Sequence, residues 1–145
     1  MKMKIKVLDS NATVPTRGSE HAAGLDLYSI NGAPVTIDPH SKALFSTGIA
    51  LEIPDGYFGG VYARSGIATK RDLRPSNCTG VIDEDYRGAI MVSLHNDSDE
   101  PRVVEPKERI AQLIIQKYEM PEIEVVDELS DTTRGEGGFG STGPK

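Results

Sequence analysis

Ile110-Ala111-Gln112-Leu113-Ile114-Ile115 decides the fold. Its side chains are apolar on both alternating faces, with Gln112 the one polar exception, which is the pattern of a strand covered on both sides. Gln112 therefore needs a hydrogen-bonding partner, backbone or ligand, or it costs stability. Outward from this run the period of two persists. Ala89 to His95 places Ala89, Met91, Ser93 and His95 on one face and Ile90, Val92 and Leu94 on the other. Lys4 to Leu8, Leu25 to Tyr28, Val35 to Ile37, Ala43 to Ser46, Ile49 to Ile53 and Tyr57 to Tyr62 are further short runs, with Gly, Pro, Asp or Asn between almost every pair. No window longer than about ten residues keeps a helical stripe. Ser65 to Leu73, with Ser65 as cap, is the best short helix. Many short strands with regular turn signals predict an all-β sandwich or barrel.

Length and composition bound the rest. The chain has 145 residues, which is one domain by size and enough for a real core. A hydrophobic content of 37% with no Trp is low for a monomer, so burial is expected to be completed against other copies of the chain. A net charge of −6 argues against a nucleic-acid groove, which needs a basic face. An anionic ligand would need local arginines or a metal ion to override that field. The single cysteine, Cys78, forms no internal disulfide, and no stretch has the signature of a signal peptide or a spanning segment. The expectation is a soluble, cytoplasmic protein, or one of the host cytoplasm if the source is phage or viral, with no nucleic-acid or membrane partner. His21, His40 and His95 are too scattered along the chain to suggest a zinc site.

Three stretches carry chemistry. In Gly80-Val81-Ile82-Asp83-Glu84-Asp85-Tyr86-Arg87-Gly88, a β-branched pair and three acids stand between two glycines. A carboxylate there, set beside an apolar wall, would be stripped of water and tuned for base work; the plain alternative is a hairpin whose acids point into solvent. Arg64-Ser65-Gly66 opens the short helix and suits an anion, or else is an ordinary capped helix with a surface arginine. From Asp127 the composition turns to Ser, Thr, Asp and Gly, so residues 1–126 form the barrel domain and 127–145 a mobile Gly-rich arm. In that arm Arg134, Ser141 and Thr142 can meet phosphate oxygens and Phe139 can stack on a base. The arm lacks the lysine of a phosphate loop, so it is not a nucleoside-triphosphatase P-loop.

Five motifs in order, Ala23-Gly24-Leu25-Asp26-Leu27, Arg64-Ser65-Gly66, Gly80 to Asp83 through Tyr86-Arg87-Gly88, Arg109-Ile110-Ala111-Gln112-Leu113 and Arg134 to Gly143, make the chain resemble the trimeric-type dUTPases. The resemblance implies a jelly-roll-like β-fold, a homotrimer with active sites between subunits, arms that cross to close a neighbour's site, Mg²⁺, and hydrolysis of dUTP to dUMP and pyrophosphate. That reaction keeps uracil out of DNA and supplies dUMP for dTMP synthesis. By matching position, Asp83 is similar to the general base and Asp26 to the acid that orders water and metal. Ser65 and Gly66 would hold the phosphates beside Arg64, Gln112 would meet the α-phosphate, and Arg134, Gly140, Ser141 and Thr142 would cover the γ end. Asn77, Gly80, Val81, Ile82 and Met91 would read uracil, Tyr86 would pack beneath the sugar, and Phe139 would stack on the base. Ala63, Ala89 and Glu136 depart from the family's pattern. The same scaffold also serves dCTP deaminases, and a non-catalytic nucleotide-sensing regulator is the remaining alternative.

Overall fold

The computed structural model describes residues 1–138, and two antiparallel sheets dominate it. The strands are β1 (Lys4–Val7), β2 (Thr16–Arg17), β3 (Leu25–Tyr28), β4 (Val35–Ile37), β5 (Lys42–Glu52), β6 (Tyr57–Tyr62), β7 (Leu73–Pro75), β8 (Gly80–Ile82), β9 (Ala89–Asn96), β10 (Arg102–Val104) and β11 (Arg109–Lys117), with one helix, α1 (Ser65–Arg71). One sheet runs β1-β5-β9-β7, the other β2-β3-β11-β6-β8, and β10-β4 makes a small third pair. This is the all-β architecture that the alternation predicts, in the jelly-roll-like form that the resemblance implies.

Alternation explains which faces meet. On β9 the buried set is Ile90, Val92, Leu94 and Asn96, while Met91 faces out. Those aliphatics join Leu27, Phe45, Ile49, Leu51, Val61 and Leu113 in one core. Burying such side chains stabilises by roughly 1.5–3 kcal/mol each. β11 lies between β3 and β6, and its Ala111 and Leu113 are buried. Its other face differs from the doubly covered strand expected: Gln112, Ile114 and Gln116 are half-buried. Tyr62 reaches across that face to bond Gln116.

Two boundaries also differ. Arg64, not Ser65, is the N-cap of α1, and no side chain caps it. Asp72, left-handed at φ 53°, ends the helix, so Leu73 begins β7 instead of closing the helix. Separately, among the described residues the last strand ends at Lys117, ahead of the compositional change at Asp127.

Candidate active site

Strand register assembles a first cluster. Gln112 on β11 pairs with Asp26 on β3 on one side and Tyr62 on β6 on the other. Ala63 and Arg64 follow directly from β6, so motif residues distant in sequence share one sheet end. Asp26 is only 7% exposed, and both oxygens are matched: Arg64 Nε donates to Oδ1 at 2.7 Å and Arg109 Nη1 to Oδ2 at 3.2 Å. A buried carboxylate needs such compensation. Arg64 uses only its Nε, so its Nη fork donates to no group among the described residues. Gln112 Nε2 donates to the Ala63 carbonyl at 2.9 Å, and its Oε1 lies where a Cβ on residue 24 would stand, 2.4 Å away. A side chain at residue 24 would require the Gln112 amide to move. Asp26, Arg64, Ser65, Gly66 and Gln112 line one cavity of about 180 Å³.

A second cavity, about 420 Å³, is lined by Asn77, Gly80, Val81, Ile82 and Met91, all five of the expected base-reading residues, with Leu44 and Ser93 among its walls. The turn carrying Asn77 is pinned to β9 by Ser76 N–H on the Ser93 carbonyl at 2.8 Å and by the two serine hydroxyls at 2.7 Å. Cys78 N–H closes it on the Pro75 carbonyl at 2.9 Å. Arg74 supports the same turn through the Pro75 and Ser76 carbonyls.

Asp83 lines neither cavity. It is exposed, whereas a carboxylate shielded by aliphatic neighbours was expected. Ile82 is the last residue paired to β6, and from Asp83 the chain turns outward, with Tyr86 N–H on the Asp83 carbonyl at 3.1 Å. Tyr86 is exposed too, its hydroxyl donating to the Ala89 carbonyl at 3.1 Å. Arg134 closes a local turn, Nε to the Gly137 carbonyl at 2.7 Å. Phe139, Gly140, Ser141 and Thr142 lie outside the described residues.

Arg109, the first residue of the Arg109-to-Leu113 motif, has no role assigned by the sequence alone. Its signal was a basic residue three positions before Gln112, on the strand that pairs with Asp26. The described residues contain no group of three or more His, Cys, Asp or Glu side chains placed to hold a metal.

Fold and cavities together define a jelly-roll β-protein with an arginine-lined polar cradle and a separate, larger cleft beside the Asn77 turn. Residues 10–143 match the family model described as dUTPase. The deoxyuridine 5'-triphosphate nucleotidohydrolase of Syntrophotalea carbinolica is 45% identical, over 97% of this chain and 96% of its own. That of Hydrogenobaculum is 44% identical over the full length of both. The solved dUTPase of Staphylococcus bacteriophage 80alpha, bound to dUpNHpp, superposes with a TM-score of 0.88 at 33% identity, covering 98% of each chain. The chain belongs to the dUTPase family.

Proposed function

We propose that this dUTPase cleaves dUTP to dUMP and pyrophosphate by an in-line attack of water on the α-phosphorus, with Asp83 as the general base. Hydrolysis of dUTP is the activity for which its relatives are named. The observation that carries the site reading is that Asn77, Gly80, Val81, Ile82 and Met91, all within one 15-residue stretch of sequence, line one cleft. Uracil presents an acceptor where cytosine has a donor, and a polar mismatch in such a cleft is strongly rejected. Tyr86 under the sugar leaves no room for a 2′-hydroxyl.

The cradle of Asp26, Arg64, Ser65, Gly66 and Gln112 takes the phosphates, with the Arg64 Nη fork offering bidentate contact. Cleft and cradle share no residue. That separation supports a homotrimer in which the cleft of one subunit faces the cradle of another. Asp83, exposed in the single chain, then gains its shielding from the neighbour and the nucleotide. Residues 127–145 are the closing arm, bringing Arg134, Gly140, Ser141 and Thr142 to the terminal phosphates and Phe139 onto the base.

Mg²⁺ fits as an ion held mainly by the substrate's phosphates. Asp26, with both oxygens already bonded to guanidiniums, suits contact through a water and not direct ligation. When bound, the ion offsets the charge on the triphosphate. No described helix is long and apolar enough to cross a membrane, and the proposed location is the cytoplasm.

Incubation with dUTP, dCTP, dTTP or UTP and Mg²⁺ tests the reading. Pyrophosphate is expected from dUTP alone; ammonia from dCTP would establish the deaminase instead, and no product from any nucleotide would leave the sensing role. Asp83→Asn should bind dUTP yet lose turnover.

A further inference from the structure

Three adjacent acids follow β8, and the mechanism above employs only the first. Their surroundings differ. Asp83 and Asp85 are exposed, and neither carboxylate takes a hydrogen bond among the described residues. Glu84 is half-buried, and its Oε2 accepts the backbone N–H of Gly56, 28 residues away.

The place of that bond in the sheet gives it meaning. The β6–β8 ladder pairs Val61 with Gly80, Gly60 with Val81 and Gly59 with Ile82, and there it ends. Glu84 lies two residues past the last pair, and Gly56 three residues before it on the other strand. The Glu84 side chain thus continues strand pairing beyond the point where backbone pairing stops. Gly56, at φ 77°, occupies the left-handed region in the turn into β6. Its carbonyl accepts the N–H of Tyr118 at 3.2 Å, and the Tyr118 ring packs edge-on against Phe58 with centroids 6.3 Å apart. The anchor is therefore a fixed node between β6 and the end of β11. On its other side, the Glu84 carbonyl receives Arg87 Nη1. Burial, and then the neighbouring Glu84 carboxylate, hold the Tyr118 phenol above its ordinary value, in keeping with a carboxylate at this node.

We propose that Glu84 is a positioning residue for the water-activating aspartate: its bond to Gly56 fixes the backbone on the far side of Asp83, while Ile82 in the ladder fixes the near side. Asp83 then has an exposed side chain on a held backbone, leaving only its own side-chain rotations to settle when nucleotide arrives. A displacement of about 1 Å at a reacting group can cost a hundredfold in rate. This inference rests on Asp83 being the base.

The test measures kcat and KM for dUTP with Mg²⁺, and the melting temperature, on full-length Glu84→Ala, Glu84→Gln, Glu84→Asp and Asp83→Asn. Glu84→Ala should lower kcat about tenfold, within the range a small displacement produces, and leave KM within about twofold, because the base cleft precedes the end of the ladder. Glu84→Gln keeps an acceptor at the same reach and should restore most of the rate. Glu84→Asp keeps the charge but is one methylene short, and should be as slow as Glu84→Ala. Should Glu84→Ala fold poorly, the contrast between the Gln and Asp variants carries the test. Wild-type kcat in Glu84→Ala or Glu84→Asp, or a Glu84→Gln enzyme as slow as Glu84→Ala, overturns the anchor. If Asp83→Asn is inactive at the same time, the base assignment survives that failure. Wild-type turnover by Asp83→Asn removes the base assignment itself, whatever the Glu84 variants do.

Discussion

Arg64 meets Asp26 through Nε alone, at 2.7 Å, across 38 residues of sequence. This contact through the side of the guanidinium aims it while sparing the two Nη groups, the part of arginine that best matches phosphate oxygens. Asp26 is in turn steadied by Arg109, so one buried acid sets the direction of the cradle's cation.

Asp26→Asn keeps the shape of this group and removes its charge. The two guanidiniums lose their shared partner, and KM for dUTP should rise at least about tenfold, with a lowered melting temperature, since breaking a buried pair costs about 3–5 kcal/mol. Initial-rate kinetics and thermal melting check both; an unchanged KM would detach Asp26 from substrate binding.

Gly24→Ala addresses the same cradle through packing. The new methyl would stand 2.4 Å from Gln112 Oε1 and 3.2 Å from Gln112 Cβ and Cδ, so the amide has to swing away and release the Ala63 carbonyl. The expected result is a folded protein, destabilised by about 1–3 kcal/mol, whose dUTP turnover falls severalfold. Denaturant unfolding alongside steady-state kinetics separates the two effects. Full activity would mean that Gln112 does not need its present position.

Period-two patterning made β1, β3, β4, β6, β9 and β11 legible, because each alternates or carries an apolar face. β2, β7 and β10 were not: Thr16-Arg17 is too short for a period, Leu73-Arg74-Pro75 ends in a proline, and Arg102-Val103-Val104 does not alternate. β5 looked like two runs. It is one strand with a shift in register between Ser46 and Ala50, and Thr47 there donates to the Ile90 carbonyl at 2.8 Å. The residues of the base cleft were legible because they cluster around one hairpin. Glu84 and Arg109 were not, because the partner of each, Gly56 N–H and Asp26, lies far away in sequence and only the folded sheets bring it near.

Asn96 closes β9 with no exposure at all, and its amide donates to the carbonyls of Ile37, Asp38 and Glu100 at 3.1, 3.3 and 2.8 Å. Its Oδ1 accepts from Ser98 N–H and Oγ. Asn96→Ala leaves three carbonyls short of a donor near the core and should destabilise by about 2–3 kcal/mol. Urea unfolding measures it; a loss under about 0.5 kcal/mol would show that water replaces the amide.

Removal of residues 134–145 tests the arm. Among the described residues the core cluster draws on nothing beyond Ile115 and no strand follows Lys117, so folding and assembly should survive truncation. Turnover of dUTP should fall to a small residue. Normal hydrolysis by the shortened chain, with its solution mass unchanged, would end the idea of a closing arm.

Arg74 grips Asp97 with two bonds, Nε to Oδ2 at 2.7 Å and Nη2 to Oδ1 at 3.0 Å, and the same arginine braces the turn that carries Asn77. Its hydrogen bond holds the Asp97 carboxyl below its ordinary 3.8. The folded chain therefore binds that proton more weakly than the unfolded chain does, and the pair stabilises the fold at every pH above the ordinary value. As pH falls through the lower, folded value, the contribution disappears. Asp97→Asn should accordingly be less stable than the parent at neutral pH, and the difference should shrink toward about pH 2, below the usual carboxylate range. Urea midpoints taken at neutral and acidic pH read the difference directly. A gap that stays constant across that range would mean that the pair acts by shape and not by charge.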